Sequence, residues 1–206
     1  MRSLWLSPLV VAVAMLCSGR ATSVAADQSE YLILKEGSEW IMDMKLFGPD
    51  GNIIGTNIAH RKIETPVERD GKQYFTEHTW TEKKPGPGEL TRFVRRDATG
   101  FYSINPQKNG DSAKEQRETV IPLKAGDSWE RGEPGAVIKE SVIGVEDVTV
   151  DAHVYKECFH LHSVKTDSGM VEDFWEAPQV GCVKSEIRFQ NGAKLLLTLK
   201  EFKSGQ

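Results

Sequence analysis

A chain of 206 residues with 30 acidic and 26 basic side chains carries a formal charge of −4. The two signs are interspersed rather than clustered, which reads as a solvated surface and excludes a nucleic-acid-binding face built on basic patches. The length suits one domain or two small ones with a genuine core.

The first 26 residues read as a signal peptide. Arg2 precedes an uncharged apolar run from Leu4 to Cys17, too short to span a bilayer unaided, and small residues end at Val24-Ala25-Ala26. Cleavage is expected after Ala26, in a periplasmic or secreted protein. Cys17 follows Leu16, where lipoprotein processing prefers a small residue, so a lipid anchor is not expected. Loss of Arg2 and Arg20 would leave the mature chain at −6. No second apolar segment suggests an integral membrane span.

The rest is a succession of short segments rich in Val, Ile, Thr and aromatic residues, broken by Gly, Pro, Asn and Asp turns, an all-β pattern. A first strand over about 38–47 ends in Gly48-Pro49-Asp50-Gly51. A second runs from 53 to about 65, before Pro66, and the turn Arg69-Asp70-Gly71 leads to a third over 73–82. Residues 83–88, Lys-Lys-Pro-Gly-Pro-Gly, form a loop, because prolines lack ladder donors and glycines pack nothing. Strands follow at 90–96 and 101–104, joined by a turn that uses Gly100.

The polar stretch 105–114 is the expected linker between halves, with a short helix over 111–117 as the alternative. Beyond it a strand is predicted at 115–121, and further strands at 136–143, 145–150, 154–165, 170–176, 180–189 and 194–202. Asn191-Gly192 is the strongest hairpin signal. Sustained 3.6-residue periodicity is absent, so helices apart from the signal peptide are expected to be few.

Leu123-Lys124-Ala125-Gly126-Asp127-Ser128-Trp129 repeats Leu34-Lys35-Glu36-Gly37-Ser38-Glu39-Trp40. Downstream, Phe93 and Phe174 begin similar stretches that each run into a glycine turn. The expected architecture is therefore a strongly curved antiparallel sheet or barrel-like meander: a single β domain over 27–206 built from two similar halves, about 31–110 and 115–203. Gly37 and Gly126 let the backbone turn, and Trp40 and Trp129 start each half in the core.

The Leu-Lys-x-Gly-Asp-x-Trp element, Val-Thr-Val-x-Ala at 148–152, the following Cys158, and Trp175-x-Ala177-Pro178-x-Val180-Gly181-x-Val183-Lys184 together resemble a family of exported bacterial β-rich proteins of unknown function. That family is distantly like the curved-sheet lipoprotein carriers of the envelope (LolA/LolB-like). The resemblance implies a concave apolar face and supplies no catalytic residue. Cys182 stands where the family pattern has an aliphatic residue.

Cys158, His160 and His162 alternate on one strand and so share a face, a weak metal candidate with Asp173 opposite on the next strand. The alternative is a solvent-facing His pair beside a half-buried Cys. Cys158 and Cys182 are the two cysteines of the mature chain, in an oxidising compartment. A disulfide between them is possible, although an intervening strand would hold them roughly 9.6 Å apart, beyond the usual reach. A Cys158–His160 nucleophile pair lacks the loop or helix end that activates a thiol. No nucleophile elbow, metal-protease helix or phosphate loop is present. Of the four mature tryptophans, Trp80 and Trp175 are the candidates for lining a ligand groove, core burial being the alternative for all four.

Three functions fit. The first is an exported, non-enzymatic binding module that shelters an apolar or lipid-like ligand, with no cofactor, and predicts an apolar cavity. The second is a protein-interaction or structural module of the envelope, which predicts an unprotected sheet edge. The third is a metal-binding protein at Cys158, His160 and His162.

Overall fold

The computed structural model describes residues 31–83, 89–106, 113–133 and 135–206. The predicted signal peptide, with its cleavage point, lies outside these residues, as do positions 84–88 of the proline-glycine loop and 107–112 of the expected linker. Twelve strands are formed: β1 (Glu39–Phe47), β2 (Ile53–Arg69), β3 (Lys72–Thr81), β4 (Leu90–Asp97), β5 (Gly100–Ile104), β6 (Gln116–Val120), β7 (Ser128–Glu133), β8 (Ala136–Val150), β9 (His153–Lys165), β10 (Met170–Ala177), β11 (Gly181–Arg188) and β12 (Lys194–Lys203). Among the described residues only Pro106 is helical. Gln116 and Arg117, at the end of the alternative helix, belong to β6.

All twelve strands join one antiparallel sheet in the order β6-β5-β4-β3-β2-β1-β12-β11-β10-β9-β8-β7. Each half is a meander, and β1 pairs with β12 to weld the two. The sheet curls until its end strands meet. There Trp129 donates from Nε1 to the Glu118 carbonyl at 2.9 Å, and Arg131 meets the Glu118 carboxylate at 2.7 Å. No ladder pairs β6 with β7 among the described residues, leaving a nearly closed barrel.

Turn chemistry accounts for most strand ends. At Asn191-Gly192, Gly192 takes a φ of +82° and hydrogen bonds tie Phe189 to Ala193 and Gly192, which only a residue free of a Cβ does without strain. Two boundaries differ from the sequence reading. The second strand does not stop before Pro66 but continues to Arg69, because the ladder shifts register between Ile63 and Pro66 and the irregularity absorbs the missing donor. Segments 136–143 and 145–150 are one strand, β8, with irregularities at Val142/Gly144 and Glu146/Val148 instead of a turn.

The two Leu-Lys-x-Gly-x-x-Trp elements make matching hydrogen bonds. Gly37 N donates to Ile63 O and Gly126 N to Val142 O, both at 2.8 Å; Ile63 N returns to Ser38 O and Val142 N to Asp127 O, both at 2.9 Å. Both glycines have positive φ, +83° and +88°. Trp40 then faces Arg61 across the ladder, as Trp129 faces Glu140. The match fails at Phe93 and Phe174. Followed from Ile63 through Glu77, the ladder reaches Arg92; followed from Val142 through Leu161, it reaches Phe174. Phe93 therefore lies on the opposite face, under the Arg69 guanidinium, while Phe174 packs against the core.

One core cluster gathers Trp40, Ile63, Val94, Val148, Val183 and Leu199, among others. A second surrounds Trp129, Val142, Phe159 and Leu161, with Tyr31 edge-on to Phe159. Tyr31 also donates to the Glu157 carbonyl at 3.0 Å, and Arg96 to the Leu32 carbonyl at 2.8 Å, so the segment before β1 is pinned to both halves.

Candidate functional site

Strand alternation sends every second side chain inward, and on β2, β3, β4, β8 and β10 several of these are charged. Arg61 lies in phase with Ala59 and the fully buried Ile63. Its guanidinium sits 4.5 Å over the Trp40 ring and meets the Glu77 carboxylate through Nε at 2.8 Å and Nη2 at 2.7 Å. Arg92 reaches the other Glu77 oxygen at 2.5 Å. Glu77 is 1 % exposed. Burial alone would push its carboxyl up, but the two guanidiniums outweigh burial and hold it down at about 2.

The second half has the opposite balance. Arg131 bridges Glu118 at 2.7 Å and Glu140 at 2.8 Å. Burial pushes the Glu140 carboxyl above its ordinary range, and its Oε2 has no hydrogen-bond partner. Burial likewise raises Glu172, which accepts from Ser185 at 2.7 Å, and raises Glu176 to about 7.

Between the inward faces of β1–β4 and of β10–β12 lies a cavity of about 460 Å³. Met42, Ala59, Leu90, Ile187 and Leu197 give it an apolar wall, and Arg61 and Glu172 add charge. Trp80 borders it, with its ring stacked on His60 at 4.8 Å and 4°. A smaller polar chamber of about 160 Å³ touches Arg92, Ser103, Glu118 and Arg131 near the seam.

The other residues singled out from the sequence are distributed differently. His160 and His162 share Asp173, whose Oδ1 lies 3.1 Å from His160 Nε2 and 2.8 Å from His162 Nδ1, while Arg188 binds its other oxygen. Burial opposes ionisation of Asp173, but the bonds from His162, Arg188 and His160 hold it below the usual range. Cys158 does not join them. It is fully buried in the first core cluster, beside a bulge at which Glu157 has a φ of +55°. Among the described residues no set of three His, Cys, Asp or Glu side chains is placed to hold a metal ion.

Both cysteines are free thiols. β10 separates their strands, as the ladder pairs Glu176 with Cys182 on one side and Phe159, next to Cys158, on the other. Burial pushes Cys158 up to about 11 and Cys182 well above the ordinary thiol range, so neither is activated as a nucleophile. Trp175 stacks on His160 at 4.5 Å, donates to Glu146 at 2.6 Å and carries Lys184 over its ring at 4.4 Å. Trp80 alone of the two tryptophan candidates borders the cavity.

The inward charges went unnoticed in the sequence, although a signal exists. Arg61 interrupts the alternating run Ala59, Arg61, Ile63, and Glu77 interrupts Phe75, Glu77, Thr79. A charge in the buried phase of a strand demands a buried partner.

No protein-family model and no curated protein matches this chain. Solved structures do. A protein from Bacteroides fragilis assigned as exported, with a YmcC-like fold, superposes with a TM-score of 0.50 at 15 % identity, covering 84 % of this chain and 99 % of that one. A protein from Parabacteroides distasonis assigned as a lipoprotein gives 0.45 at 13 % identity, covering 84 % and 98 %. The first likeness is one of fold. No helix among the described residues is long and apolar enough to cross a membrane.

Proposed function

We propose that this protein is an exported, non-enzymatic component of the cell envelope that shelters an apolar or lipid-like ligand inside its curled sheet. The observation that carries this reading is the cavity of about 460 Å³ with its wall of Met42, Ala59, Leu90, Ile187 and Leu197. Its volume falls within the range typical of small-molecule sites, and apolar walls recover free energy by removing hydrocarbon from water. The leader over 1–26, cut after Ala26, delivers the chain to the periplasm or beyond. The likeness to curved-sheet lipoprotein carriers belongs to this proposal, as does the descent of the two halves from one repeat.

The test is occupancy. Solvent extraction and mass spectrometry of protein purified from its native envelope are expected to yield a lipid-like compound in stoichiometric amount. Leu197→Trp, which fills the cavity, is expected to lower that yield at least about tenfold, from loss of the apolar contacts. Equal yields from both proteins overturn the reading.

A second reading, a protein-interaction module, draws on the seam. β6 and β7 end the sheet without a ladder between them, so the outer backbone groups other than the Glu118 carbonyl, which accepts from Trp129, offer an edge to a partner strand. Cross-linking of cysteine pairs placed across β6 and β7 tests it. Locking the seam should abolish partner capture while leaving ligand yield unchanged; capture that survives the lock removes this reading.

A further inference from the structure

We propose that the ligand of the cavity has a single anionic head on an acyl chain, and that Arg61 receives the head. This rests on the binding reading above and gives its ligand a chemistry. Arg61 and Arg92, part-buried on the inner face, bond to the same fully buried carboxylate, Glu77. One carboxylate shared by two guanidiniums leaves hydrogen-bonding capacity on the pair, and an arriving anion takes it up.

The geometry of Arg61 suits that role. Glu77 engages Nε and Nη2, and Trp40 supports the face of the guanidinium. Nη1 has no protein acceptor among the described residues, and Arg61 lies on the cavity wall. An acyl chain would run from there along Met42, Ala59 and Leu197. A fixed planar fork with one free edge binds an oxyanion head with little further loss of side-chain freedom.

The carboxylates that face this group compete weakly. Glu118 and Glu140 are committed to Arg131. Glu172 and Glu176 approach from β10; burial raises both, Glu176 to about 7, and Glu172 already accepts from Ser185. Glu89 also borders the cavity, with its side chain 77 % exposed to solvent.

Calorimetry of the delipidated full mature protein with hexadecanoate, its methyl ester and hexadecyl phosphate at pH 6.5 tests the proposal. The acid is expected to bind at least about tenfold tighter than the ester, as a charge-assisted hydrogen bond predicts. Arg61→Gln should shrink that preference to less than about threefold. Comparison of hexadecanoate with hexadecyl phosphate distinguishes a carboxylate from a phosphate head. Equal affinity for acid and ester in the wild type overturns this inference and leaves the cavity reading standing. No binding of any of the three overturns both. The acid–ester comparison uses only the wild-type chain, so it decides even where Arg61→Gln fails to fold.

Discussion

The two halves of the molecule share a backbone scheme and differ in what they bury. In the first, the ladder from Ile63 passes through Glu77 and Arg92; in the second, the ladder from Val142 passes through Leu161 and Phe174. Beneath the leading tryptophans the signs also differ, Arg61 under Trp40 and Glu140 under Trp129. Backbone hydrogen bonds and a turning glycine tolerate such exchanges because they involve no side chain. Equivalent turns can thus surround a lumen that is cationic on one wall and acidic on the other.

The largest expected contrast is between two buried glutamates. Glu77→Ala strands two guanidiniums and should cost about 3–5 kcal/mol, whereas Glu140→Gln should change stability by less than about 1 kcal/mol, since Arg131 keeps Glu118. Urea unfolding at pH 7 measures both, and similar costs would break the contrast.

Next comes pH on the alkaline side. Glu176 occupies the ladder position that Val94 holds in the first half. Its folded pKa, about 7, lies above the ordinary 4.5, so the fold favours the protonated form. That contribution is complete below 4.5 and is lost as pH rises through about 7. Glu176→Gln should therefore gain about 2–3 kcal/mol on the wild type at pH 8 and almost nothing at pH 4.5. A gain independent of pH would assign the effect to packing.

On the acid side the sign reverses. Glu77 is held at about 2, below its ordinary 4.5, so its contribution is complete above 4.5 and is lost as pH falls toward 2. Thermal unfolding from pH 5 to pH 2.5 should decline by about 2–3 kcal/mol more in the wild type than in Glu77→Leu.

The smallest effect sharpens the equivalence of the turns. Gly37→Ala and Gly126→Ala should each cost about 1–2 kcal/mol, because both residues have positive φ and an added Cβ meets nothing closer than 3.8 Å. Costs that differ by more than about 1 kcal/mol would show that the elements are not energetically alike.

Much of the fold was legible. Turn residues marked most strand ends, and the repeated Leu-Lys-x-Gly-x-x-Trp element marked where each half starts. Pro66 and Gly144 misled because irregularities inside a long strand use the same residues as turns. The site was only partly legible: Asp173 opposite His162 could be read from strand order, whereas Cys158 is buried in the core instead of joining the histidines.

Alternation, turn chemistry and composition are local properties, and they alone determined an all-β antiparallel meander. Which charges would meet across the lumen was decided only by the curl and register of the sheet. Arg61, Glu77 and Arg92 are 15 or more residues apart, and the same alternation would have permitted many other partners. Hydrogen-bonded register brought these three together, and closure of the sheet left a cavity beside them.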